Sequence, residues 1–171
     1  MWRIETRFEM LAADISVSAK EFALSQHGQF GKPYDLVHIP EVASLVAAKT
    51  SDPDVIAAAW LHDVVEDTGV SVDQIRQMYG DKVAQIVWAV TDEPGVNRAE
   101  RKKNTLPKIA QDKDAALIKL ADRVANVMAS QGDERRLAMY RQEQPAFKSA
   151  LKDIAPYSDM WETLDSILDI I

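Results

Sequence analysis

Helical periodicity runs through almost the entire chain, and strand signals are nearly absent. Apolar residues recur at three- and four-residue spacing. No run of alternating β-branched residues is bounded by hairpin turns. The pattern predicts an all-α fold, a single-domain helical bundle over residues 1–171. A length of 171 residues favours one domain with one core. No repeat, low-complexity tract or interdomain linker interrupts it.

Punctuation residues set the expected boundaries. A first helix covers about residues 4–25 and a loop, QHGQFGKPYDLVH, follows at 26–38. Its two glycines and Pro33 preclude a long helix there. Pro40 suits the first turn of a helix over about 40–49. Ser51 and Asp52 before Pro53 start a third helix, running to about residue 67 and ended by Gly69. Ser71 caps a short helix to Tyr79, Gly80 ends it, and residues 81–91 form another. The polar segment TDEPGVNRAERKKNT reads as a loop entering a basic helix. Helices at about 113–130, 134–153 and 157–170 complete the chain. Trp60, Trp88 and Trp161 read as core. The tail WETLDSILDII carries an apolar stripe that suits packing on the bundle or on a second subunit, so a homo-oligomer stays open.

Composition excludes several classes. A formal net charge of −7 argues against broad nonspecific binding to nucleic acid, while leaving room for a local cationic pocket. With no cysteine, disulfides and thiolate metal sites are ruled out, and a reducing cytoplasm is expected. The N-terminus MWRIETRFEM lacks the apolar region of a signal peptide. No stretch approaches the roughly 18 apolar residues of a membrane span.

The chemistry gathers at His62-Asp63, within AAAWLHDVVEDT at 57–68. Neighbours on a helix point about 100° apart, so both reach one ion only from the edge of a face. A histidine from a loop and an aspartate from a distant helix would complete a shell, and His38 and Asp122 meet those requirements. Two imidazoles and two carboxylates suit Mn, Fe, Zn or a similar divalent transition metal better than Mg or Ca. Asp63 and Asp122 lie in strongly apolar stretches, where a charge is costly unless paired or coordinated. Glu66 and Asp67 follow one turn on, placed to orient or deprotonate a water. Singly, each residue has an ordinary reading: His38 as a helix-start residue, Asp122 as half of a salt bridge with Lys119 or Arg123, Glu66-Asp67 as a solvated helix end. His27 has no such support. The joint H…HD…D spacing is what points to an enzyme acting on phosphate esters.

These residues resemble the HD superfamily of metal-dependent phosphohydrolases, and within it the hydrolase domain of the RelA/SpoT family, especially its small single-domain alarmone hydrolases. The motifs are GKPYDLVHIPEVA (31–43), AAAWLHDVVEDT (57–68), VTDE (90–93) and LIKLADRVAN (117–126), over about residues 20–130. The ED pair after HD is specific within the superfamily. The resemblance implies an all-α bundle and Mn-dependent hydrolysis of the 3′-pyrophosphate of guanosine tetra- or pentaphosphate, giving GDP or GTP and pyrophosphate. It implies that His38, His62, Asp63 and Asp122 bind Mn, and that Glu66 and Asp67 position and activate water. Asn126 matches a nucleoside-contacting asparagine. Arg98 and Lys102 fall near phosphate-binding basic residues, and Tyr140 near an aromatic of the nucleotide site. The chain departs from the pattern in the loop GQFGKPY, which lacks the family's arginine-rich stretch and has Lys32 in its place. Ala125 and Ala129 also differ. These departures lie near the nucleotide, so two other readings stay open. One is a phosphohydrolase of another nucleotide or of NADPH. The other is a catalytically silent, nucleotide-binding regulatory HD domain.

Overall fold

Nine α-helices and no strand occur among residues 2–169, which the computed structural model describes, with side chains from residue 15 on. The all-α class is the one the periodicity predicts. The helices group into two compact units, Met1–Thr91 and Asp92–Ile171.

The first unit holds α1 (Trp2–Phe30), α2 (Asp35–Ala47), α3 (Pro53–Leu61), α4 (Val64–Thr68) and α5 (Val72–Val90). Helix α3 is its centre and packs on α1, α2 and α5. Val55, Ala57, Ala58, Ala59 and Leu61 are all buried, so α3 is apolar nearly all round, as expected of a helix wrapped by others. Helix α1 meets it with Ala19, Ala23 and His27, buried at four-residue spacing. Small side chains on both partners allow close approach. Asp52 caps α3 by accepting from the Asp54 N–H at 3.1 Å, ahead of Pro53 at the first helical position. A reciprocal Ser71–Gln74 capping box starts α5. At Gly80 the backbone turns to φ 86°, dividing α5 into the two segments that the glycine predicts.

The second unit holds α6 (Arg98–Ile109), α7 (Lys113–Ala129), α8 (Glu134–Leu151) and α9 (Ser158–Ile167). Helix α7 is its centre, packed on α6, α8 and α9. Leu117, Ile118 and Leu120 on α7 are at most 1% exposed, each burial contributing about 1.5–3 kcal/mol. Asp112 caps α7 through the Asp114 and Ala115 N–H groups. Met160, Trp161, Leu164 and Leu168 of the tail are buried and α9 packs on α7, so the apolar stripe is used within this unit. The expected end of that last helix, at Ile170, lies outside the described residues.

Three expectations need correction. Helix α1 continues through Gly28 to Phe30, so the expected loop shrinks to residues 31–34. Consequently His38 lies inside α2, not in a loop, and Pro40 sits in the helix interior. Leu36, whose carbonyl would have received the missing N–H, is 43% exposed, so water can serve it. The expected third helix is broken at His62-Asp63 into α3 and α4. Trp88 is 42% exposed and is not core, because it falls on the solvent side of α5. Trp161 is buried and donates to the Ala155 carbonyl at 2.8 Å, whereas Trp60 is half-buried with the Lys20 ammonium 5.4 Å from its ring.

The glycines give substitutions of opposite sign. Gly80→Ala forces an L side chain to positive φ and should destabilise the protein by about 1–2 kcal/mol. Gly28→Ala, in a helix with nothing within 4 Å of the added methyl, should stabilise it by about 0.5–1 kcal/mol. Urea denaturation of the two variants checks both signs.

Candidate functional site

The break between α3 and α4 builds the first half of the site. His62, at the end of α3, has φ −58° and ψ −34°; Asp63 turns to φ −102° and ψ −4°. His62 Nδ1 donates to the Ala59 carbonyl at 2.7 Å. A carbonyl only accepts, so Nδ1 carries hydrogen and Nε2 presents a lone pair in the neutral ring. Nε2 lies 3.2 Å from Asp63 Oδ2, and His38 Nε2 lies 3.8 Å from the same oxygen. The two imidazoles meet edge to face at 5.5 Å, and Tyr34 stacks on His38 at 5.3 Å. A lone pair and a carboxylate at 3.2 Å repel unless a positive charge lies between them. This set, with both imidazoles buried, therefore fits a divalent cation, with His62 oriented by its backbone bond as ligating histidines are.

A second cluster sits beside it. His27 Nδ1 donates to Asp35 Oδ2 at 3.0 Å, and the Lys32 N–H donates to the same oxygen at 2.7 Å. The Lys32 ammonium meets Asp67 Oδ1 at 2.8 Å. That hydrogen bond raises the Lys32 pKa, with burial opposing and the Asp67 charge adding to the rise. His27, Asp35 and Asp67 each bring a ligand-type atom within 4.8 Å of the others. A Cβ on Gly31 would stand 2.7 Å from both Asp35 Oδ2 and His27 Nδ1, so only glycine fits there. The His27–Asp35 pair staples the end of α1 to the start of α2, one turn before His38. Sequence reasoning set His27 aside and did not single out Asp35; the available signal was a histidine at the four-residue spacing of the buried Ala19 and Ala23. Glu66 is exposed on α4.

The second unit carries the remaining candidates. Asp122 on α7 accepts from the Asn126 amide at 2.5 Å and pairs with the buried Lys119 at 2.9 Å. The ordinary salt-bridge reading of Asp122 is thus realised with Lys119. Lys102 donates to both oxygens of Asp92 at 2.8 Å. Burial pulls its pKa down, the Lys119 charge adds to the fall, and Asp92 only partly opposes them. Arg98 forks onto Glu143 at 2.7 and 3.2 Å, and Arg123 reaches the same carboxylate at 3.0 Å. Tyr140 is buried beside both guanidiniums, and burial raises its pKa. Glu143 escaped notice in the sequence, and Arg123 entered only as a possible partner of Asp122; a glutamate in RQEQ and an arginine within LADRVAN carry no distinctive spacing.

The HD-domain family profile matches residues 15–149. The chain belongs to the HD-domain family. An HD domain implies a divalent metal, and the histidine–aspartate sets can hold one. The chain is 32% identical over 159 residues to a probable guanosine-3′,5′-bis(diphosphate) 3′-pyrophosphohydrolase of Synechocystis, a match covering 84% of this chain and 20% of that one. It is 36% identical over 93 residues to the pyrophosphohydrolase MESH1 of Drosophila melanogaster, covering 53% of this chain and 52% of that one. The chain thus spans about a fifth of the first relative's length and about half of the second's. The solved structure of a metazoan ortholog of SpoT, described as hydrolysing ppGpp, superposes with a TM-score of 0.73 at 28% identity, over 91% of this chain and 94% of that one. Among the described residues, no helix is long and apolar enough to cross a membrane.

Glu143 provides a pH test of this charge network. Burial alone would raise its pKa, but the Arg98 hydrogen bond and the Arg123 and Arg98 charges outweigh it, so the net shift is downward from 4.5. A depressed carboxylate contributes stability above its unfolded pKa and loses it as pH falls through the folded value. Glu143→Gln should therefore cost about 1–3 kcal/mol at neutral pH. The gap to the parent protein should close as pH drops below 4.5, measured by denaturation across pH.

Proposed function

We propose that the protein is a metal-dependent phosphohydrolase that removes the 3′-pyrophosphate of guanosine tetra- or pentaphosphate, giving GDP or GTP and pyrophosphate. The observation that carries this reading is the convergence of His38 and His62 on Asp63, with Asp67 one turn further on. The names of the relatives support the substrate, and the match over most of a SpoT ortholog's length supports a catalytic domain of this type.

We assign His38, His62 and Asp63 as metal ligands. Asp122, which occupies the aspartate position of LIKLADRVAN, is the fourth. Manganese suits two imidazoles with two carboxylates, and the family resemblance favours it. When bound, the ion lowers the pKa of water and takes up phosphoryl charge. Asp67 accepts the proton of the attacking water, and Glu66 helps to position it. As its oxygen bonds to the 3′-linked phosphorus, the bond to the ribose oxygen breaks, and that oxygen recovers a proton. The Lys32 ammonium, 2.8 Å from Asp67 Oδ1, holds that carboxylate in place. Arg98 and Lys102 offset charge on the phosphates, the first as a fork and the second as a point charge. Asn126 and Tyr140 face the nucleoside. Lys32 is the basic group that the short GQFGKPY loop retains. The substrate is a nucleotide, and the protein works in the cytoplasm.

Two substitutions test the division of labour. Asp63→Ala should abolish both metal binding and turnover while leaving the helical circular dichroism intact. Asp67→Ala should keep the metal, read by elemental analysis, yet lose pyrophosphate release from guanosine tetraphosphate by about 10²-fold or more, the range expected for removing a general base. Full activity in either variant would sink the assignment. Turnover of other phosphomonoesters, with no release from guanosine tetraphosphate, would shift the substrate to another nucleotide.

A further inference from the structure

Arg98 and Arg123 close on a single carboxylate. Arg98 donates from Nε and Nη2 to the two oxygens of Glu143, at 2.7 and 3.2 Å, and Arg123 Nη2 forms an ion pair with Oε2 at 3.0 Å. The two arginines are held very differently. Arg123 has a side chain only 7% exposed, with its guanidinium 4.9 Å from the Tyr140 ring centre and 4.4 Å from that of Phe147. Phe147 is backed in turn by Trp161 at 5.7 Å. Arg98 is 39% exposed and lies over the outer part of the cluster, 5.8 Å from the Tyr140 ring centre. Two guanidiniums converging on one anionic group beside an aromatic ring is an arrangement suited to a phosphate. Here the anion is the protein's own.

We propose that Glu143 is a built-in occupant of a phosphoryl-binding seat, on which Arg98 rests until a phosphoryl group of the nucleotide takes over its fork. Arg123 makes the transfer inexpensive. A half-buried carboxylate deprived of its only partner is strongly disfavoured. With Arg123 fixed at 3.0 Å, Glu143 stays paired after Arg98 departs. Arg98 is then a binding arm, Glu143 a competitor that sets its affinity, and Arg123 a positioning residue that acts through Glu143 without touching the ligand. A purely structural salt bridge has no such sign pattern, because each of its members would only stabilise. The proposal rests on the reading of the chain as a hydrolase of a nucleotide polyphosphate, and assigns Glu143 and Arg123 roles within it.

The test is calorimetric titration of inorganic pyrophosphate into the full chain, kept metal-free with EDTA. Turnover and the metal centre then play no part, so a failed hydrolase assignment leaves the readout intact. Removing the competitor in Glu143→Gln should tighten pyrophosphate binding by about tenfold, the scale of one charge-assisted hydrogen bond. Arg98→Ala should weaken it by a similar factor. Arg123→Lys, which loosens the fixed partner, should weaken binding although Arg98 is untouched, and the double variant Arg123→Lys/Glu143→Gln should recover it, since the two act in series. Should Arg123→Lys fail to fold, Glu143→Gln and Arg98→Ala still decide, because both side chains reach solvent. Weaker or unchanged binding in Glu143→Gln overturns the proposal. So does a double variant no better than Arg123→Lys, or the absence of measurable pyrophosphate binding in the parent and Glu143→Gln alike.

Discussion

Adjacent side chains on a regular helix diverge by about 100°, and the candidate metal centre needs two of them to converge. The chain resolves this by ending α3 at Leu61 and starting α4 at Val64, with Asp63 shifted to φ −102° and ψ −4° between them. The buried His62–Ala59 hydrogen bond anchors that break: it fixes the ring, settles which nitrogen carries hydrogen, and aims Nε2 at the Asp63 carboxylate. The rest of the first unit serves the same point. An all-round apolar α3 holds His62 in place. The His27–Asp35 staple fixes the start of α2 and hence His38. The turn of α4 brings Asp67 within reach of Lys32.

Much of this was legible from residues, and the failures have physical causes. Periodicity and caps located the helices because Asp52, Ser71, Gly69 and Gly80 act locally, through their own side chains or their own φ. The break at His62-Asp63 was invisible because no proline or glycine marks it; what accompanies it is the side chain-to-backbone bond from His62 to Ala59. The loop before His38 was overestimated for the opposite reason. Gly28 and Pro40 are strong breakers in isolation, yet packing of α1 on α3 carries the helix through Gly28, and exposure of Leu36 lets α2 tolerate Pro40. The H…HD…D reading does not depend on these boundaries, because it rests on residue type and order along the chain. The partners of the basic residues did not show at all, since pairs such as Arg98 with Glu143 join positions 45 apart.

That pairing changes how the second unit would meet an anion. Arg98, Lys102, Lys108 and Lys119 each lie against an acid: Glu143, Asp92, Glu93 and Asp122. In a chain of net charge −7 the basic segment is therefore no bare positive patch. On the exchange proposed for Arg98, a phosphate would not simply add to such a surface; it would replace a carboxylate that is already there. Affinity becomes a difference between two charge-assisted contacts, smaller than either.

Exchange of this kind favours ligands that reach several seats together. A monophosphate displacing one carboxylate gains little, since it trades one ionic contact for another. A molecule with phosphoryl groups at separate positions recovers the exchange cost at each, while the cost of immobilising it is met once. On the exchange proposed above, the internal acids would act against abundant small anions and in favour of polyphosphorylated nucleotides. They would supply discrimination without the arginine-rich stretch that the GQFGKPY loop lacks.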